Sequence, residues 1–168
     1  MKTEGFIHKL GDNVDTDSMI AGRFLSLSDP AEMAKHMFEE SDPGFRARVK
    51  RGDVIVAGAN FGSGSGREHA PLGLKALGIG CIVAASFART FYRMSIDLGL
   101  PILTSPEAHM AAKSGQPIRV DIATGLIEMA GQKIQAEPLP EFLLGVLQQD
   151  GMVNWVKQEV RRRKAAAG

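Results

Sequence analysis

The chain has 168 residues, 44% hydrophobic and 23% charged, with a formal net charge of +1; this fits one ordinary globular domain with its own core. Near-neutral charge lacks the basic excess of a nucleic-acid binder, and no apolar run reaches the ~20 residues that a membrane span needs. The single cysteine, Cys81, excludes an internal disulfide and any metal or iron–sulfur centre held by several thiolates of this chain alone.

Met1-Lys2-Thr3-Glu4-Gly5 carries no apolar signal region, so a cytoplasmic protein is expected. A short strand is predicted over 6–10, followed by the polar turn Gly11–Asp17. Asp29-Pro30-Ala31-Glu32 has the form of a capping box and predicts a helix from Pro30 to Glu40. Ser41-Asp42-Pro43-Gly44 ends it, and a basic stretch from Arg46 to Arg51 leads on. Asp53–Ala57 and Ile79–Ala85 are compact apolar runs, read as buried strands. Between them lie the loop Gly58–Gly66 and a helix from Arg67 or Glu68 to Leu77. Ser86 is expected to cap a helix carrying Phe87, Phe91, Met94 and Leu98, which stops at Gly99. A strand over Leu100–Leu103 and a helix over Pro106–Lys113 follow. Ile118–Ala123, Leu126–Met129 and Gln132–Ala136 form a meander punctuated by Thr124-Gly125 and Ala130-Gly131. Terminal helices are predicted over Pro140–Gln149 and Met152–Arg163. The class is α/β with a mixed sheet, without a clean doubly wound repeat.

The strongest chemical feature is Asn60-Phe-Gly-Ser-Gly-Ser-Gly-Arg-Glu-His69, set between a buried strand and a helix. Glycines let backbone amides approach a ligand closely. A helix start adds unpaired N–H groups and the positive end of a dipole. Together they suit a phosphate or carboxylate, and Arg67 can add a bidentate clamp. A tight strand–helix connection with no ligand is the plainer alternative. Standard glycine motifs fail on spacing. A dinucleotide fingerprint starting at Gly62 needs glycine where Arg67 stands, a P-loop needs Gly-Lys-Ser/Thr, and neither Ser63 nor Ser65 has glycine two residues to each side.

Asp12, Asp15 and Asp17 fall in one turn. A calcium loop counted from Asp12 needs glycine and glutamate where Asp17 and Arg23 stand, so a capped turn is expected. His8, His36, His69 and His109 lack the paired spacing of a zinc site. Arg89 and Arg93 share a helical face beside an apolar stripe, and structural pairing is expected of them.

These segments resemble a known family. Gly11-Asp-Asn-Val-Asp-Thr-Asp17, Ile20, Arg23-Phe-Leu25, Asn60–Ala70, Ser86-Phe-Ala-Arg-Thr-Phe-Tyr92 and Gly99-Leu-Pro101 are similar, in order, to the small subunits of isopropylmalate isomerase, homoaconitase and related malate hydro-lyases. The resemblance implies a swivelling β/β/α domain that closes over a large subunit, as a heterodimer or heterotetramer. That subunit holds a 4Fe–4S cluster through its own cysteines; none is implied on this chain, nor any metal. The substrate is a small dicarboxylate. Ser65 falls at the catalytic base and Arg67 at a carboxylate contact. Asp17 falls at an active-site acid with an orienting or proton-relay role. Gly66, Ser63, Ser26 and Arg23 are the remaining implied substrate contacts. Segment 26–52 is expected to be a mobile lid. A free subunit with its interface uncovered can self-associate.

Two departures bear on substrate. Gly66 replaces the family's second serine, so one hydroxyl contact is absent. The residue after Leu25 separates substrates in the family: arginine goes with an extra carboxylate, an aliphatic side chain with the isopropyl group. Here it is Ser26. It has no charge for a third carboxylate, which counts against homoaconitate. It also leaves a smaller alkyl malate, such as 2,3-dimethylmalate or a methylmalate/citraconate pair, beside 3-isopropylmalate. The non-enzyme alternative is a carboxylate-binding regulatory module.

Overall fold

The structure is a computed structural model and describes residues 1–166. One seven-stranded sheet has the order β4-β3-β2-β1-β5-β6-β7. Its strands are β1 Lys2–Lys9, β2 Val54–Ala57, β3 Cys81–Ala84, β4 Ile102–Thr104, β5 Pro117–Asp121, β6 Leu126–Met129 and β7 Gln132–Gln135. The helices are α1 Thr16–Met19, α2 Pro30–Ala34, α3 Phe45–Arg48, α4 His69–Leu77, α5 Arg89–Asp97, α6 Pro106–Ala111, α7 Glu141–Gln148 and α8 Met152–Ala166, with a 3₁₀ turn at Gly22–Phe24.

β1 divides the sheet. It pairs in parallel with β2, and β2–β3 and β3–β4 continue in parallel. On its other side it meets β5 antiparallel, and β6 and β7 extend the meander. The two halves follow from residue pattern. β2 (VIVA) and β3 (CIVA) are buried at every position, as parallel strands covered on both faces must be. β5 to β7 bury alternate residues, Ile118, Val120, Ile127, Met129 and Ile134, and leave one face to solvent. The helices α4 and α5 are the crossovers of the parallel half, so the loops after β1, β2 and β3 emerge at one edge.

The predicted helix from Pro30 to Glu40 ends at Ala34. Asp29 does cap it, accepting the Ala31 N–H, but Glu32 pairs with Lys35 at 2.6 Å instead of reaching back. Further on, Phe38 takes a positive φ of 55° and donates its N–H to the Met19 carbonyl at 2.6 Å. A tertiary contact, invisible to helical periodicity, breaks the helix there. Segment 26–52 packs on the body: Met33, Met37, Phe38 and Phe45 all lie in the core. Gly73 of α4 makes room for this packing, since a Cβ there would stand 2.4 Å from Met37 Sδ. β1 also begins earlier than predicted, at Lys2, because pairing with β5 extends it. Among the described residues, no helix is long and apolar enough to cross a membrane.

Candidate active site

The loops after β1, β2 and β3 meet at the carboxyl ends of these strands, the edge where open parallel sheets gather ligands. The loop after β2 is laced between the other two. Gly62 N–H donates to Val14 O (2.8 Å), Thr16 N–H to Ser63 O (2.9 Å) and Phe61 N–H to Ser86 O (3.0 Å). Asn60 Nδ2 donates to Asn13 Oδ1 at 3.0 Å, and both asparagines hold the left-handed backbone, at φ 58° and 55°. Ser86 does not cap α5, whose N-cap is Ala88; its Oγ accepts the Asn60 N–H at 2.8 Å instead. Gly62 is required on two counts. Its φ is +79°, and a Cβ would lie 2.1 Å from Phe91 Cγ.

Ser65 lies near the tip of this loop, half-buried. Its N–H donates to Thr16 Oγ1 at 3.0 Å, and the Thr16 hydroxyl reaches the Ser65 carbonyl at 3.3 Å. Thr16 itself is only 3% exposed, so this grip comes from inside the fold. The amides of Gly64, Gly66, Arg67 and Glu68 have no protein acceptor among the described residues, and α4 begins just beyond, at His69. Four N–H groups without a protein acceptor and the start of α4 thus fall within four residues of Ser65, the kind of backbone that suits an anion.

The three acids of the first turn divide by role. Asp12 accepts the Ala59 N–H (2.7 Å) and Asp15 caps α1 by accepting the Ser18 N–H (2.7 Å). Asp17 is exposed. Asp17, Arg67, Arg89 and Arg93 make no ion pair among the described residues. The structural pairing expected of Arg89 and Arg93 is therefore absent. They line, with Gly66, Thr90, Met94 and Asp97, an open hollow of about 410 Å³. Neither Ser65 nor Arg67 lines that hollow; Ser65 is half-buried and Arg67 exposed.

Ser26 is exposed, and Ser63 is half-buried with its carbonyl held by Thr16. Arg23, implied as a substrate contact, has partners of its own: it pairs with Glu40, lies 3.1 Å from Glu39, and covers the Phe24 ring at 4.6 Å. A substrate carboxylate there would compete with two protein carboxylates. Reading from sequence missed Thr16, although it sits inside the acidic turn, because a threonine beside two aspartates reads as another cap. It also left His36 and His69 without a role. His36 stacks on Phe24 with ring centroids 3.8 Å apart. His69 Nε2 faces the carbonyls of Leu25 and Leu27, each at 3.1 Å.

Cys81 is buried in β3, and burial pushes its thiol far up, away from the thiolate that binds metal. Among the described residues, no group of three or more His, Cys, Asp or Glu side chains could hold a metal ion.

Residues 2–107 match the aconitase C-terminal domain family. The chain belongs to that family. Within it, the chain is 48% identical over 160 residues to the 3-isopropylmalate dehydratase small subunit of Caldanaerobacter subterraneus subsp. tengcongensis, covering 94% of this chain and 99% of that one. It is 47% identical over 158 residues to the 2,3-dimethylmalate dehydratase small subunit of Eubacterium barkeri, covering 93% and 97%. The crystal structure of 3-isopropylmalate dehydratase from Methanocaldococcus jannaschii superposes over 100% of both chains, with a TM-score of 0.93 at 37% identity. An aconitase X from Thermococcus kodakaraensis shares the fold at a TM-score of 0.51 and 21% identity. The mixed sheet flanked by helices is thus the aconitase C-terminal fold, as the resemblance implied.

Proposed function

We propose that this member of the aconitase C-terminal domain family is the small subunit of a two-subunit hydro-lyase acting on a branched malate, with 3-isopropylmalate as the first substrate. The observation that carries the reading is Ser65, fixed by Thr16 in one loop with four unpaired amides and next but one to exposed Arg67. It occurs in a chain that aligns nearly end to end with 3-isopropylmalate dehydratase small subunits.

Dehydration of a malate removes a weakly acidic proton beside a carboxylate and expels hydroxide from the neighbouring carbon. A base is needed on the carbon side. Ser65 Oγ takes that proton in this reading. A serine is a poor base unless its alkoxide is stabilised, and the Gly64, Gly66, Arg67 and Glu68 amides with the α4 N-terminus supply that field. Arg67 binds a substrate carboxylate. Asp17, free in the first turn of α1, orients substrate or relays a proton.

A partner completes the site. In this reading the partner is a large subunit carrying a 4Fe–4S cluster on its own cysteines. When bound, the cluster supplies a Lewis acid for the leaving hydroxyl. The single buried Cys81 of this chain takes no part. The assembly is a heterodimer or heterotetramer, and the compartment is the cytoplasm, where a lone thiol stays reduced.

A second substrate reading, 2,3-dimethylmalate, is favoured by the short polar Ser26 and by the Eubacterium barkeri relative. One experiment tests both. The chain is co-purified with the large subunit from its own genome, the cluster is reconstituted without oxygen, and enoate absorbance is followed with 3-isopropylmalate, 2,3-dimethylmalate, citramalate and homocitrate. Turnover of a branched malate is expected. An assembled, cluster-loaded complex that turns over none of them overturns the reading. Failure to assemble with the large subunit turns the assignment toward a carboxylate-binding module.

A further inference from the structure

We infer that His69 is a positioning residue that sets substrate choice by holding Ser26 in register with the Ser65–Arg67 loop. This deepens the reading above and rests on it for the identity of the substrate.

His69 is the first residue of α4 and lies two positions beyond Arg67. Its Nε2 is 3.1 Å from the Leu25 carbonyl and 3.1 Å from the Leu27 carbonyl. Carbonyls only accept, so Nε2 carries the hydrogen and shares it between the two. These are the carbonyls that flank Ser26 on either side. The other ring nitrogen, Nδ1, is buried with no partner. The ring's hydrogen bonding is therefore directed wholly at this strip, and an unpaired buried nitrogen is accepted in return for that placement.

The rest of the strip is held from a different direction. Arg23 pairs with Glu39 and Glu40, and Phe24 stacks on His36 at 3.8 Å with the rings 16° from parallel. Those contacts tie residues 23 and 24 to the turn after α2. Within the strip, Leu25 N–H donates to Gly22 O (3.2 Å) and Leu27 N–H to Phe24 O (3.0 Å). His69 adds the link from this strip to the catalytic loop. Ser26 is left exposed at the apex, where its side chain can set the room for a substrate alkyl group. A shift of the strip relative to Ser65 changes that room even with Ser26 unaltered.

The test compares wild type, His69→Leu, which removes the donor, and His69→Gln, whose amide reaches about as far as Nε2. With the reconstituted two-subunit enzyme, the ratio of kcat/KM for 3-isopropylmalate and 2,3-dimethylmalate is measured. His69→Leu is expected to move this ratio toward unity by about tenfold, mainly through KM, and His69→Gln to restore most of it. In parallel, amide hydrogen exchange is followed in the full chain. Leu25 and Leu27 are expected to exchange about tenfold faster in His69→Leu while Leu74 in α4 keeps its protection. Should His69→Leu fail to accumulate, His69→Asn, too short to span both carbonyls, replaces it. An unchanged ratio overturns the role in substrate choice, whatever the exchange shows. Unchanged exchange overturns the clamp. Equal loss in the Leu and Gln variants, or a fall in kcat with KM unmoved, overturns it as well. If wild type turns over neither acid, the function reading fails, and the exchange result still decides the clamp.

Discussion

Thr16 and Ser65 are joined twice, Thr16 Oγ1 accepting the Ser65 N–H at 3.0 Å and its hydroxyl reaching the Ser65 carbonyl at 3.3 Å. Both bonds fall on backbone, so they fix where Ser65 stands and leave its hydroxyl unencumbered. Thr16→Val keeps the shape and removes the bridge, leaving a half-buried N–H unpaired at a cost of about 1–3 kcal/mol. We expect a kcat about 10- to 100-fold lower with a smaller change in KM, and Thr16→Ser close to wild type. Steady-state kinetics of the reconstituted complex checks this; a Thr16→Val enzyme with normal kcat would show that Ser65 is held by other means.

Ser65→Ala tests the base itself. Loss of a positioned general base lowers turnover by roughly 10²–10⁴-fold, whereas the loop's backbone contacts to Thr16 survive the substitution. Turnover should therefore fall to that extent while the variant still co-purifies with the large subunit. Substantial activity in an assembled complex would reassign the base, with Asp17 the next residue to substitute.

The parts of this site that could be read from sequence are those written in local pattern. The glycine loop between β2 and α4 stood out because residues 62, 64 and 66 are glycine around two serines, and the buried strands because VIVA and CIVA are continuous apolar runs. What escaped depends on contacts between distant segments. Ser86 looks like an α5 cap, yet its hydroxyl serves Asn60 across the loop. Residues 30–40 have helical spacing, yet the Met19 carbonyl draws Phe38 into a left-handed turn. Arg89 and Arg93 read as paired surface charges, yet among the described residues no carboxylate forms an ion pair with them. Thr16 and His69 carry their roles through backbone atoms far away in sequence, which no spacing rule encodes.

Gly62 and Gly66 should respond differently to substitution, though both belong to the same loop. A Cβ at Gly62 would meet Phe91 Cγ at 2.1 Å from a backbone with φ of +79°. Phe91 is fully buried and cannot step aside, so Gly62→Ala is expected to cost several kcal/mol or to prevent accumulation of folded protein. At Gly66 the nearest atom to an added Cβ is the Thr90 Cγ2 methyl, at 3.0 Å, and Thr90 is exposed. Gly66→Ser should therefore fold, with a loss of about 1 kcal/mol or less that the second change Thr90→Ser recovers. Thermal unfolding of the three variants checks the contrast, and equal effects at both glycines would contradict it.

Asp53 supplies the pH prediction. It is 1% exposed. Burial pushes its carboxyl up, but the Lys50 and Phe6 N–H groups and the His8 ring, each within 2.9 Å, outweigh burial and hold it below the usual aspartate range. The folded value thus lies below the unfolded one, near 3.9. A group of this sign contributes stability that is complete above the unfolded value and is lost as pH falls through the folded one. Asp53→Asn keeps the shape but removes the charge and presents an amide hydrogen to one of these donors. The variant should be less stable than wild type at pH 7, by about 1–3 kcal/mol. The gap should hold down to about pH 4 and narrow below it. Urea unfolding at pH 7, 5, 4 and 3 measures it directly. A gap that stays constant to pH 3 would mean that Asp53 titrates alike in the folded and unfolded chains, so that the three donors do not lower its folded value. A gap that widens between pH 7 and 5 would mean that the carboxyl is held above its usual range, with burial winning over the three donors.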